Sequence, residues 1–224
     1  LLPPHILRLL LIQKDPKRTI EFIPDGDTIP ILFDTYDKFA TDYFSGVKDD
    51  FTRLFPFVHS PQERTHIAQR VLPRFSEIAY LVQMPHVDVR AHVEKEEGKT
   101  LTELDLKELN MRKEYAQKWL SKYAPEDYKF EIKESTPEVA KAFATDQKEA
   151  LKALLQFLET EKDIDGQMLH TKLHEIKTLQ SIEPKKFFSA IYLSILGKES
   201  GPKAGWFLSV LPKDFLIKRF TEVV

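Results

Sequence analysis

Residues 146–158 read Asp-Gln-Lys-Glu-Ala-Leu-Lys-Ala-Leu-Leu-Gln-Phe-Leu, and this run decides the class of fold. Leu151, Leu154, Leu155 and Leu158 recur at three- and four-residue intervals, the spacing that gathers side chains on one face of an α-helix. Asp146, with Glu149 three residues on, resembles the capping signature that opens such a helix. Toward the C-terminus the same period continues. Asp165 is placed to cap a helix carrying Met168, Leu169, Leu173 and Ile176. Pro184 opens one carrying Phe187, Phe188, Ile191, Tyr192, Ile195 and Leu196 up to Gly197, with proline at the start and glycine at the end as helices prefer. Pro202 opens another with Trp206, Phe207, Val210 and Leu211, and Phe215 to Phe220 make a last turn or two.

Toward the N-terminus, Thr136-Pro137 reads as a cap and first helical residue. Residues 128–134, Tyr-Lys-Phe-Glu-Ile-Lys-Glu, alternate, but a lone strand of this length has no sheet to pair with, so the segment reads as a packed linker. Asp105 and Glu108 suggest a second capping box before Leu109, Arg112, Ala116, Leu120 and Tyr123. Pro61 can open a helix with Ile67 and Val71, broken near Pro73 and resumed at Ile78, Leu81 and Val82. From Pro30, Leu32, Phe33, Tyr36, Phe39, Ala40 and Tyr43 share a face that Gly46 can close. Pro4 starts a run of Ile6, Leu7, Leu10 and Leu11 that Asp15-Pro16 stops. Thr19–Ile23 reads as a short strand or extended arm before the turn Pro24-Asp25-Gly26-Asp27. No period of 20–50 residues repeats, which excludes a solenoid. The expected class is mainly α, in two or three packed helical units.

Composition narrows the function classes. The chain has 224 residues, 42% hydrophobic and 30% charged, with a net charge of -2. That leaves enough apolar material for a substantial core and fits neither a disordered nor a supercharged chain. Cysteine is absent, which removes disulfides, thiol nucleophiles and cysteine-bearing zinc sites. No apolar run reaches the roughly 18 residues of a membrane span, and Leu1-Leu2-Pro3-Pro4 does not read as a secretory leader. The 7 glycines are too scattered for a phosphate-cradling loop. Residues 183–224 hold 7 basic and 4 acidic side chains, a modest positive tail on an otherwise neutral or acidic chain.

Few constellations carry chemistry. His170 and His174 share a helix face, but the intervening residues lack a metalloprotease glutamate and no third ligand follows in the sequence. Asp25 with Asp27, and Asp49 with Asp50, read as turn formers rather than an acid and base pair. No Gly-x-Ser-x-Gly elbow surrounds any serine. The segment Gly197-Lys-Glu-Ser-Gly-Pro-Lys-Ala-Gly-Trp-Phe207 remains. Its lysines next to a helix start can meet phosphate and its rings can stack on unpaired bases. Equally, Trp206 and Phe207 can belong to a core stripe, with Gly201 and Gly205 permitting close packing.

Three stretches resemble a known family. Residues 4–22 (PHILRLLLIQKDPKRTIEF), residues 119–130 (WLSKYAPEDYKF) and above all residues 187–219 (FFSAIYLSILGKESGPKAGWFLSVLPKDFLIKR) are similar to the C-terminal half of class I lysyl-tRNA synthetases. Residues 32–38 resemble the next helix of that family, and residues 86–105 are the least informative. The resemblance implies a stem-contact-like helical region over residues 1–60. Two helical units of an anticodon-binding cage would follow, at residues 61–134 and 135–224. It implies lysine tRNA, held by its anticodon, and the enzyme's own catalytic domain as partners, with no membrane or DNA partner and a cytoplasmic setting. The HIGH and KMSKS motifs that bind ATP and activate lysine in that family do not occur here. The chain by itself is therefore expected to have no catalytic residues and no cofactor, ATP belonging to the whole enzyme. Within this resemblance Lys203, Lys213, Lys218 and Arg219 are candidate phosphate contacts, and Trp206 or Phe207 a candidate base platform. The competing class is a helical protein-interaction module that binds no RNA.

Overall fold

The computed structural model describes residues 1–14, 17, 19, 21–85 and 87–224. Twelve α-helices and three short 3-10 turns form among these residues, and no strand does. The mainly α expectation is met. The chain divides into two compact units, residues 1–82 with 88–125 and residues 83–87 with 126–224. The 60/61 boundary of the sequence reading falls inside the first unit and the 134/135 boundary inside the second.

The first unit contains α1 (Pro4–Ile12), α2 (Thr28–Phe44), α3 (Asp50–Leu54), α4 (Phe75–Leu81), α5 (Val89–Glu97) and α6 (Glu103–Lys122). Pro4 occupies the first turn of α1, where its missing N–H costs nothing. The aromatic face of α2 supplies the core. Phe33 stacks on Phe75 at 4.1 Å between centroids, and Trp119 meets Phe75 edge-on at 5.9 Å. A charged set lies inside this apolar shell. Arg112 is fully buried and donates to Glu108 at 2.8 Å, to the Pro73 carbonyl at 2.9 Å and to both oxygens of Asp37. Glu108 also pairs with Arg70 at 3.4 Å.

Two expectations fail here for clear reasons. Residues 67–74 are not helical, because the Val71 amide donates to Asp105 at 2.7 Å and Pro73 has no amide to continue a helix. The cap of α6 lies one turn earlier than Asp105 with Glu108. The Thr102 hydroxyl accepts from the Asp105 amide, and the Asp105 carboxylate accepts from the Thr102 amide at 2.9 Å. Glu108 becomes a buried ion. Helix α5, invisible in the sequence pattern, is capped by Asp88 and closed by Gly98 in the left-handed region at φ +64. Asp15-Pro16, and Ile20 within the expected arm, lie outside the described residues.

The second unit contains α7 (Glu138–Lys141), α8 (Thr145–Thr160), α9 (Gly166–Leu179), α10 (Pro184–Leu196), α11 (Ala204–Ser209) and α12 (Lys213–Thr221). The leucine stripe holds, with Leu151, Leu154 and Leu158 buried against residues of α9, α10 and α12. Its start differs. Helix α8 is capped by the Gln147 side chain accepting from the Ala144 amide at 3.1 Å, not by Asp146 with Glu149. Thr136-Pro137 stands just outside α7, and the Thr136 hydroxyl donates to Glu222 instead of capping. Asp165 caps α9 as expected, accepting from the Met168 amide at 2.7 Å. Pro184 and Gly197 bound α10, with Gly197 at φ +67.

The linker at 128–134 packs without forming a strand. Ile132 is buried and the Lys133 amide donates to the Ile195 carbonyl at 2.9 Å. Among the described residues no helix is long and apolar enough to cross a membrane.

Candidate nucleic-acid interface

The tail segment singled out by sequence lies wholly in the second unit, and its glycines serve packing. A Cβ on Gly205 would stand 2.8 Å from the Gly166 carbonyl oxygen and 2.9 Å from the His170 amide nitrogen, so only glycine lets α11 sit this close to α9. A Cβ on Gly201 would meet the Tyr192 ring at 2.8 Å. The Tyr192 hydroxyl donates to the Pro202 carbonyl, which anchors the α10–α11 loop. Helix α11 has 6 residues, too short to build an appreciable dipole, so of the two readings of this segment the glycines follow the one in which they permit close helix packing.

The six candidate residues separate by burial. Phe207 is 0% exposed, with its ring against Phe130 at 5.8 Å and Tyr192 at 6.2 Å. It is a core residue and offers no face to a base. Arg219 is 3% exposed and its guanidinium donates to three carbonyls, Ser194 at 2.7 Å, Lys133 at 2.5 Å and Glu134 at 3.1 Å. The Ser194 carbonyl belongs to the last turn of α10, whose acceptors have no partner within the helix. Arg219 therefore ties α12 to the end of α10 and to the linker, and is not placed to meet phosphate. Burial lowers its pKa, yet a guanidinium stays charged at any physiological pH.

The remaining four stay at the surface. Lys203, at the N-terminus of α11, and Lys218, on α12, are exposed. Trp206 is half-buried against the core. Lys213 is half-buried and donates to the Glu161 carbonyl at 2.6 Å, leaving ammonium protons for another acceptor. The structure thus brings Lys203 and Trp206 onto one short helix and leaves the two lysines of α12 on another.

A further surface was missed by sequence. The outer face of α9 carries His170, Thr171, His174, Glu175, Thr178 and Leu179 around an open hollow of about 560 Å³. The imidazoles of His170 and His174 lie 4.5 Å apart, and the Lys177 ammonium donates to His174 Nδ1 at 3.2 Å. Partial desolvation, with Lys177 and His170 nearby, lowers the His174 pKa, which leaves a neutral ring able to stack or accept at neutral pH. This face adjoins the Gly205 contact through His170. The signal is the polar period His170, His174, Thr178 beside the apolar period Leu169, Leu173, Ile176.

The second unit is helical and carries exposed or half-buried basic, aromatic and imidazole side chains on α9, α11 and α12, and comparison with known families specifies its class. The family described as "Anticodon binding domain" matches residues 66–224, and the chain belongs to that family. Among curated proteins it is 30% identical to "Lysine--tRNA ligase" of Methanosarcina barkeri (strain Fusaro), over 99% of this chain and 44% of that protein. It is 31% identical to "Lysine--tRNA ligase 1" of Methanosarcina acetivorans over 98% of this chain. The "Lysine--tRNA ligase" of Pyrococcus horikoshii is 29% identical over 97% of this chain and 42% of its own length. The chain therefore spans less than half the length of these relatives.

Proposed function

We propose that this chain is the anticodon-binding part of a lysine–tRNA ligase, a synthetase that attaches lysine to tRNA with ATP. The observation carrying this reading is the family match over residues 66–224 together with similarity, over 99% of this chain and 44% of the relative, to a protein named a lysine–tRNA ligase. In this reading ATP and lysine are handled by the portion of the enzyme outside the chain. The chain alone makes no adenylate, and the setting is cytoplasmic protein synthesis with no membrane or DNA partner. Lys203, Lys213 and Lys218 neutralise backbone phosphates, and the half-buried Trp206 and the imidazole face of α9 supply surfaces on which unpaired bases stack.

The test is a titration of the chain with a lysine-tRNA anticodon stem-loop at several salt concentrations. Lys203→Ala and Lys218→Ala should each lower the salt slope by about 0.7, and Trp206→Leu should cost about 1–3 kcal/mol of binding. Binding absent at low salt, or unchanged in all three variants while each melts as the wild type does, refutes the assignment.

One observation favours a second role for the first unit. Leu7, Leu11, Ile31, Phe51 and Phe57 are all exposed and all fall within residues 1–60. A chain this apolar at its surface suits docking against the enzyme's own catalytic domain. Ile31→Lys with Phe57→Lys should abolish co-purification with the separately expressed remainder of the enzyme, and retained co-purification would exclude that surface.

A further inference from the structure

Helix α5 places His92 and Glu96 on one face at i,i+4 spacing, and α4 presents Glu77 against them. His92 Nε2 lies 2.9 Å from Glu77 Oε1 and 3.4 Å from Glu96 Oε1. One donor atom from each of the three residues lies within 4.8 Å of the others, and among the described residues no other group of three such side chains converges this way. The His92 and Glu77 side chains are 16% and 21% exposed, and Glu96 is 49% exposed on the solvent side. The cluster is thus sheltered by two helices and open on one flank.

The donor set is what separates this trio from an ordinary acidic surface cluster. An imidazole nitrogen stands between two carboxylate oxygens. In a tetrahedral centre with bonds near 2.1 Å, donor atoms stand about 3.4 Å apart, close to the two separations already present. One nitrogen with two oxygens suits a borderline ion better than magnesium or calcium, which seek all-oxygen shells. The open flank at Glu96 admits water as a fourth ligand. We propose that Glu77, His92 and Glu96 form a binding site for a divalent ion of the zinc type that ties α4 to α5.

Without the ion, a proton does the same work. The hydrogen bond to Glu77 raises the His92 pKa despite burial and the nearby Lys95, and burial together with Glu77 raises that of Glu96. Two carboxylates held this close need a positive charge among them. An ion and a proton compete for the same imidazole nitrogen, so ion binding weakens as pH falls. The helices themselves supply the pre-organisation, since His92 and Glu96 are fixed by the turn of α5 and Glu77 by the packed core residues Phe75, Ile78 and Ala79 around it on α4.

Calorimetric titration of the 224-residue chain with zinc chloride, after treatment with a chelator, tests this. One equivalent should bind. Glu77→Gln, His92→Gln and Glu96→Gln should each weaken binding by about 100-fold or more, since even outer-sphere changes at metal sites cost 10–100-fold. His170→Gln with His174→Gln should leave it unchanged. Cobalt(II) provides a readout independent of stability, because its visible ligand-field band should appear with the wild type and vanish with His92→Gln. Melting curves in chelator establish that the variants are folded. Zinc uptake equal in wild type and His92→Gln overturns the site, as does uptake that disappears only with the His170 and His174 changes. An absence of uptake means that the proton alone occupies the cluster, and overturns it equally.

Discussion

Replacing Arg219 by methionine separates a scaffold role from a nucleic-acid role. The side chain is buried and its guanidinium makes three hydrogen bonds to carbonyls of Ser194, Lys133 and Glu134. Methionine keeps much of the apolar stem but leaves these acceptors without their donor. Each unsatisfied buried acceptor costs about 1–3 kcal/mol. Release from the desolvation of the guanidinium offsets part of this, and Glu134 O at 3.1 Å is the weakest of the three. A net loss of about 2–4 kcal/mol follows. The Ser194 carbonyl sits at the negative end of α10, where a cation adds a few tenths to 1 kcal/mol, so lysine should rescue only partly because it lacks the planar fork. Urea unfolding monitored by circular dichroism should show the loss, and the melting temperature should fall by about 5–15 °C. Anticodon stem-loop titrations at temperatures where the variant is still folded should show an unchanged salt slope. A slope lowered by about 0.7, the value of one lost single-strand phosphate contact, with unaltered stability, would refute the scaffold assignment.

Gly205→Ala should destabilise the second unit by about 1–3 kcal/mol, because its methyl group meets backbone atoms of α9 that cannot rotate away; wild-type urea stability would show that α11 can lift off. Arg112→Met should cost about 3–5 kcal/mol, since it strands the Glu108 and Asp37 carboxyls, the latter already pushed up by burial. Thermal unfolding measures this, and a loss under about 1 kcal/mol would contradict the burial argument. His5 packs on Tyr36 at 4.7 Å, and burial, with Arg112 and His59 opposing Glu108, lowers its pKa to about 4. Its folded pKa lies below the ordinary 6.5, so the unfolded chain binds the proton more strongly. Stability should fall by up to about 3 kcal/mol as pH drops from 6.5 toward 4. His5→Phe should flatten that part of the pH profile, and an unchanged profile would show that His5 is not responsible.

Much of the helical content was legible because it depends on local periods. The stripes of α8, α9 and α10, the Asp165 cap, and the Pro184 and Gly197 boundaries all follow from side-chain spacing and backbone preference. Legibility failed where a residue's partner was distant in sequence. Asp105 looked like a cap for the helix that follows it. Its carboxylate instead completes the Thr102 cap and accepts the Val71 amide, and that second bond prevents a helix at 67–71. Helix α5 has a short apolar face, Val89 and Val93, too small to register as a stripe, so the trio it builds with Glu77 stayed hidden.

The candidate interface shows the same division. Basic and aromatic types in the tail could be named from sequence, and family resemblance added phosphate and base as the contacts to test. Exposure could not be read there, because it is a property of the assembled unit. Trp206 and Phe207 are neighbours with similar chemistry, yet one helical step of about 100° leaves Trp206 half at the surface and buries Phe207 entirely. Lys218 and Arg219 divide likewise: the lysine faces outward, and the arginine turns in to carbonyls 25 and more residues away. Sequence by itself determined the helical class, the start of α9, both bounds of α10 and the family, since these rest on local spacing and on strings of residues. Tertiary structure alone decided which charges became scaffold and which remained at the surface, because burial and hydrogen-bond partners arise only when distant segments pack.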